Sequence, residues 1–238
     1  AVLTPLVLWL LDRGPEARGL APDGDAAMPP AGGPAPAGSA PSMRTIMRTW
    51  QFWSVSLPFA LGLTAQISVI IHQVSFLKPT LGTAGAAWAV SLTSACAVLG
   101  RLVVGSFVDR VNRRAVIAGN FLLQAAGIVL LVSHPRPAWL YVACAMFGLG
   151  VGNTTSLPSV IVQAEFPRTA FARVVSTMIA INQFTYSFGP GLLGWLRDGF
   201  GSYDVAFAAC LLLQLAAVAL LLFGAPRRVG SAVSAAPA

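Results

Sequence analysis

Apolar residues in this chain gather into long runs, without the 3.6-residue stripe of a half-buried helix or the alternation of a half-buried strand. Six runs of about twenty residues stand out, at 51–77, 84–108, 115–133, 138–162, 172–196 and 203–224, each flanked by a charge, a proline or a glycine cluster. Twenty helical residues rise about 30 Å, the thickness of bilayer hydrocarbon. In lipid only helices and closed barrels satisfy their own backbone, and without period-two alternation these runs read as helices. The expected fold class is all-α integral membrane, a six-helix transmembrane bundle occupying 51–224.

Outside the runs the pattern changes twice. Residues 1–11 are apolar up to Asp12 and Arg13, and eleven residues span about 16 Å, half a bilayer. They read as the end of a preceding transmembrane helix, with further chain expected before residue 1. Residues 12–50 are expected to form a cytoplasmic linker, largely disordered, because the Ala, Pro and Gly of 14–42 bury too little apolar surface to offset ordering entropy. Its last stretch, 43–50, has Arg44, Arg48 and Trp50 and reads as an amphipathic lead-in at the headgroup boundary, with Trp50 and Trp53 as anchors. Residues 225–238 would be a cytoplasmic tail.

Composition supports lipid as the solvent: 56% of residues are hydrophobic and 10% charged. The net charge of +7 would point to nucleic acid in a soluble protein, so the placement of the cations decides. They lie in loops. With 12–50 in the cytoplasm, eleven arginines fall on that side, and only Lys78, Arg136 and Arg197 on the other. This is the positive-inside distribution; it puts both ends of the six-helix unit in the cytoplasm and removes nucleic acid as a partner. Cys96, Cys144 and Cys210 stand singly within runs, without metal spacing, and read as small packing residues. No signal peptide is visible.

The turn between the second and third runs has the pattern Gly105-x-x-x-Asp109-Arg110-x-x-Arg113-Arg114. Physically, Gly105 permits close helix contact, Asp109 can pair with an arginine or cap the next helix, and the arginines hold the turn at the cytosolic face. The pattern resembles the loop signature of the major facilitator superfamily. The run from Arg13 to Gly24 also looks like the entry to that family's central loop. The resemblance implies one half of a twelve-helix fold, with the six runs as helices 7–12 and a six-helix N-terminal half missing. That half would be the chain's partner in transport, alongside the lipid bilayer.

Within that family, Arg101-x-x-x-Gly105-x-x-x-Asp109 with His72 is similar to the monocarboxylate and oxalate/formate branch, where an arginine at the place of Arg101 pairs with the substrate carboxylate. Spacing gives an independent reason to single out Arg101. It lies eight residues, about 12 Å, deeper than Asp109, where a cation costs about 2.5–3.5 kcal/mol and marks a site by default. A guanidinium that bends toward Asp109 or the headgroups is the structural alternative. The oxalate-type second cation is absent from the fifth run, which offers Asn182, Gln183, Thr185 and Tyr186 instead, so a small monocarboxylate anion fits better than a dicarboxylate. Gln66, His72, Asn182, Gln183 and Tyr186 join Arg101 as substrate-binding candidates.

His72 could couple to a proton, although a histidine near a helix end is commonly interfacial. No Asp or Glu sits in the middle of a run, so a carboxylate relay would lie elsewhere or the cycle would be uncoupled. Asn153 to Ser156 precede Pro158, where a freed carbonyl calls for polar partners. Gly148 to Gly152 looks like a dinucleotide loop but lacks the preceding strand, so no cofactor is expected. Scattered His and Cys residues provide no catalytic pair or metal cluster, so an enzyme is not expected. The reading is a secondary transporter of a small organic anion in a bacterial inner membrane. A drug or sugar carrier, or a non-transporting membrane scaffold, is the alternative.

Overall fold

A computed structural model describes residues 42–133 and 136–224. The helix end expected at 1–11, the linker up to 41 and the tail at 225–238 lie outside the described residues. Among the described residues all regular structure is helical. The elements are α1 (Met43–Met47), α2 (Trp50–Phe107), α3 (Arg113–Val132), α4 (Pro137–Val151), α5 (Leu157–Glu165), α6 (Phe171–Ser187), α7 (Gly189–Phe200) and α8 (Tyr203–Phe223). Short 3-10 turns at Val108–Arg110 and Arg168–Ala170 lead into α3 and α6.

Side-chain caps set several of the starts. Ser42, Thr49, Asn112 and Ser202 each accept a hydrogen bond from a backbone N–H in the first turn of α1, α2, α3 and α8. Asn112 receives two, from Arg114 and Ala115. Of the two roles open to Asp109, the cap of α3 is made by Asn112 and Asp109 pairs with Arg113.

The first two runs form two helical limbs, grouped here as α2, that meet at a sharp turn at Gly82. Gln73 Nε2 donates to Thr93 Oγ1 at 2.8 Å, yet twenty residues of straight helix would hold them about 30 Å apart. The limbs on either side of Gly82 are thus antiparallel. Gly82, at φ 70° and ψ 177°, takes a backbone conformation open to glycine and strained for other residues.

The fourth and fifth runs are interrupted, which corrects the expectation of six continuous helices. Residues 152–156 form turns between α4 and α5, and Phe188 separates α6 from α7, where Gly189 and Pro190 follow. Among the described residues three stretches are long and apolar enough to cross a bilayer: Trp50–Arg110, which includes both limbs, Arg113–Val132 and Tyr203–Phe223. The physical reason is local. Apolar composition averaged over twenty positions does not register a Gly-Asn-Thr-Thr-Ser segment or a Gly-Pro pair that releases backbone bonds.

Two apolar cores stack along the bundle. One, toward the end that carries Arg114, gathers Phe52, Phe59, Phe121, Ile161, Met178 and Leu221. The other gathers Val69, Leu77, Ile128, Phe147, Phe207 and Cys210. Between them, at matching heights on four segments, lie the buried polar residues Gln66, Gln124, Thr154 and Gln214. Gln124 is eleven residues into the twenty of α3, and Gln214 eleven into the twenty-one of α8. The polar layer therefore sits at mid-span.

Glycines bring segments together at some predicted positions and not at others. A Cβ on Gly148 would stand 2.4 Å from the Thr93 carbonyl oxygen, and one on Gly100 or Gly152 would overlap the backbone of Leu149 or Ala97. The second limb of α2 thereby packs backbone to backbone on α4. Gly105, expected to permit close helix contact, has open space on its Cβ side, as do Gly119 and Gly191.

Gly148→Ala is accordingly expected to cost about 1–3 kcal/mol through overpacking, and Gly105→Ala to be neutral or mildly stabilising. Thermal unfolding of the two variants in detergent micelles checks the contrast; equal midpoints would contradict the packing described.

Candidate functional site

The break between α4 and α5 is the starting point, because a helix that stops at mid-span leaves carbonyls without their usual partners. Nearby groups meet four of them. Asn153 Nδ2 donates to the Leu149 carbonyl at 3.0 Å, and the Thr154 hydroxyl lies 3.2 Å from that of Gly150. Arg101 Nε donates to the Gly152 carbonyl at 2.9 Å, while the N–H groups of Ser156 and Leu157 both reach the Asn153 carbonyl.

Arg101 is the charged member of this set. Its Nη2 also donates to Thr155 Oγ1 at 2.7 Å. The guanidinium thus lies against the C-terminal end of α4, the negative end of that helix dipole. Arg101 and Thr155 are exposed, whereas Gly152, Asn153 and Thr154 are buried. One face of the break is open and cationic; the other is sealed into the bundle.

Gln66, predicted to touch substrate, lies on the sealed side. It is 3% exposed, and its Oε1 accepts from Thr154 Oγ1 at 2.7 Å. Gln124 Nε2 donates to the same hydroxyl at 3.2 Å, and Gln214 Nε2 donates to Gln124 Oε1 at 3.0 Å. Asn153 Nδ2 reaches Asn120 Oδ1 at 3.0 Å. The break therefore brings Arg101 and Gln66 into one neighbourhood, on opposite faces of consecutive residues.

The other predicted site residues are elsewhere. His72 lies near the start of α8, with Nε2 3.1 Å from the Pro190 carbonyl and Nδ1 3.4 Å from the Tyr203 hydroxyl. Because a carbonyl only accepts, Nε2 is the donor in the first of these contacts. Asn182 is buried in α6, and its Oδ1 has no hydrogen-bond partner among the described residues. Gln183 is exposed and accepts a short hydrogen bond from the Tyr186 hydroxyl. Among the described residues no hydrogen bond links His72, Asn182, Gln183 or Tyr186 to Arg101.

In the loop pattern the arginines divide. Arg113 makes an exposed pair with Asp109 at 3.2 Å, and Arg110 is exposed. Arg114, expected to join them in marking the cytosolic face, is instead buried. Its Nε and Nη2 clasp the two Glu165 oxygens at 2.6 and 2.7 Å, Nη1 reaches the Leu221 carbonyl and Nη2 reaches Ser54 Oγ. One guanidinium joins the ends of α3, α5 and α8 to the start of α2. Gln51 Nε2 adds a bond to the Glu165 carbonyl at 2.6 Å.

Glu165, Gln124 and Gln214 were not anticipated. Each had a signal: Gln214 is a lone amide inside an apolar run, Gln124 shares its run with Asn120 alone among amides, and Glu165 is a lone acid near the basic end of the fourth run. A polar residue in such a setting calls for a partner.

Residues 52–238 match the family model described as Major Facilitator Superfamily. The chain is 36% identical over 116 residues to a Thauera aromatica protein assigned by name as an anionic 4-hydroxy-benzoate permease, covering 48% of this chain and 70% of that one. It is 30% identical over 138 residues to Monocarboxylate transporter 14 of Mus musculus, covering 55% of this chain and 26% of that one.

Removing one member of the Arg114–Glu165 clasp strands a buried charge, so Glu165→Gln should cost about 3 kcal/mol or more, against less than about 0.5 kcal/mol for Asp109→Asn at the exposed pair. Thermal unfolding in detergent reads both, and a similar small loss for the two would show that the clasp is not the stronger tie.

Proposed function

This chain belongs to the major facilitator superfamily, whose members are transporters, and on that premise we propose that it moves a small organic anion, a monocarboxylate, across a membrane. The observation that carries the substrate class is Arg101. It is an exposed cation at mid-span, held by its own backbone partner, with no carboxylate paired to it among the described residues. A charge in that position is expensive unless something of opposite sign shares its surroundings.

Nε and Nη2 are engaged by Gly152 and Thr155, leaving Nη1 without a hydrogen bond among the described residues. In the proposed site the carboxylate accepts from Nη1 and from the Thr155 hydroxyl. The names of the two relatives, an anionic hydroxybenzoate permease and a monocarboxylate transporter, agree with a carboxylate cargo. Asn182, Gln183 and Tyr186 on α6 would complete the cavity wall. His72, tied to Pro190 and Tyr203, would orient α7 and α8 at the far end.

The transport cycle we propose is alternating access. Six spans, counting the two limbs of α2 and the interrupted α4–α5 and α6–α7 units, would rock against a second six-helix unit around the mid-span site. Gly105, with space beside it, Asp109 and Arg110 would meet that second unit as the halves close, and both ends of the unit would lie in the cytoplasm of a bacterial inner membrane. No nucleic acid or cofactor enters this reading. Lipid and the anion are its partners.

A second reading has its own observation. Because Arg101 already satisfies the Gly152 carbonyl, it could be wholly a cap, in a family member that carries a sugar or drug. Uptake of labelled lactate, pyruvate, formate, oxalate and 4-hydroxybenzoate into vesicles bearing the complete transporter separates the two. Arg101→Ala should raise the half-saturation concentration about 10- to 100-fold, the loss of one charge-assisted hydrogen-bond set. Saturable carboxylate uptake that is indifferent to this substitution leaves the cap reading in its place.

A further inference from the structure

Resting on the anion site proposed above, we infer that Gln124 and Gln214, acting with Gln66 through Thr154, are positioning residues that hold the break so that Arg101 and Thr155 face the substrate. None of the four needs to touch it. Gln124, Thr154 and Gln214 are fully buried and Gln66 nearly so.

The hydrogen bonds run in one direction. Gln214 donates to Gln124, Gln124 donates to the Thr154 oxygen, and Thr154 donates to Gln66. The chain crosses from α8 through α3 to the break and on to the first limb of α2. Thr154 is its junction, and its chain neighbour Thr155 holds Arg101 Nη2. Rotation of the backbone at Thr154 would carry Thr155 with it, so whatever fixes the first hydroxyl also fixes the second.

Apolar packing does not supply this. Leucines at 124 and 214 would fill the same space in lipid at lower desolvation cost, but contacts of that kind leave the rotation of a turn unspecified, whereas hydrogen bonds define it. Three amides retained at one level, each from a different segment, are therefore read as orientation rather than as stability. Asn120 braces the same turn from α3 by accepting from Asn153 Nδ2.

The test places a reporter at the open face. In the full chain in proteoliposomes, Thr155→Cys is labelled with a maleimide; the three native cysteines are buried and serve as the slow background. On this background Gln124→Leu, Gln214→Leu and Thr154→Val are expected to slow labelling about tenfold, the equivalent of one lost net hydrogen bond, while Thr154→Ser keeps the parent rate. Thr154→Val is nearly isosteric and carries the test if the leucine variants do not fold.

In a transport assay of the same substitutions without the reporter, KM for the carboxylate should rise with turnover little changed, and Thr154→Ser should restore it. Unchanged labelling in Gln124→Leu and Thr154→Val, or Thr154→Ser behaving as Thr154→Val, overturns the inference. So does faster labelling, or slower labelling with an unaltered KM. If the unsubstituted protein takes up no carboxylate, the anion site fails on its own, and the labelling series still decides whether these amides orient the break.

Discussion

Hydrocarbon offers no water to a carbonyl that its helix has released, and that constraint organises the middle of this protein. A chain break at mid-span survives only if side chains take over the bonds. Here α4 stops at Val151 and α5 begins at Leu157. Asn153, through its amide and its backbone N–H, and Arg101 supply the replacement donors for Leu149, Gly150 and Gly152. Once these polar groups are present they need partners of their own, which draws in Gln66, Gln124, Gln214 and Asn120. The polar layer between the two apolar cores is thus a consequence of the break.

The two ends of the bundle are secured by different means. At the basic end a single guanidinium spans four segments, and both of its carboxylate contacts are shorter than 2.8 Å. That geometry gives charge-assisted bonds in a largely dry place, where Arg is suited by its planar fork. At the other end the ties are aromatic. Phe76 packs on Phe207 at 4.8 Å between ring centres, Tyr203 contacts His72 and Phe207, and Arg197 lies 5.5 Å over the Tyr203 ring. The ionic end fixes register, whereas ring contacts of this sort tolerate small sliding.

How much of this was legible in the sequence depends on the range over which each signal acts. Apolar runs report solvent, and they correctly announced helices in lipid. They reported the turn at Gly82, since Lys78, Pro79 and Gly82 lie between the first two runs, but they did not report the breaks inside the fourth and fifth. Asn153 to Pro158 did betray an irregular segment, since polar groups before a proline have a local reason to be there. Depth singled out Arg101 as a candidate, but its Gly152 partner was not legible, because that bond joins positions 51 residues apart. Glu165 was passed over for the same reason. Its partner is also 51 residues away, and a lone acid beside many arginines looks like a solvated counter-charge until folding buries the pair.

Under the proposed reading, capping and anion binding are two uses of one charge. The layer around the break is made of neutral amides and hydroxyls, which orient Arg101 without neutralising it. A carboxylate in the layer would have satisfied the guanidinium permanently and left nothing for a cargo to do. With neutral neighbours, the positive end stays open on one face while its Nε remains bonded to Gly152. An arriving anion then pulls on a group that is itself holding the helix end in place. Occupancy reaches the backbone of the break in one hydrogen bond, and from there the apolar cores on both sides. A transporter built this way needs no long relay between its site and its moving parts, because the residue that meets the cargo is already part of the joint.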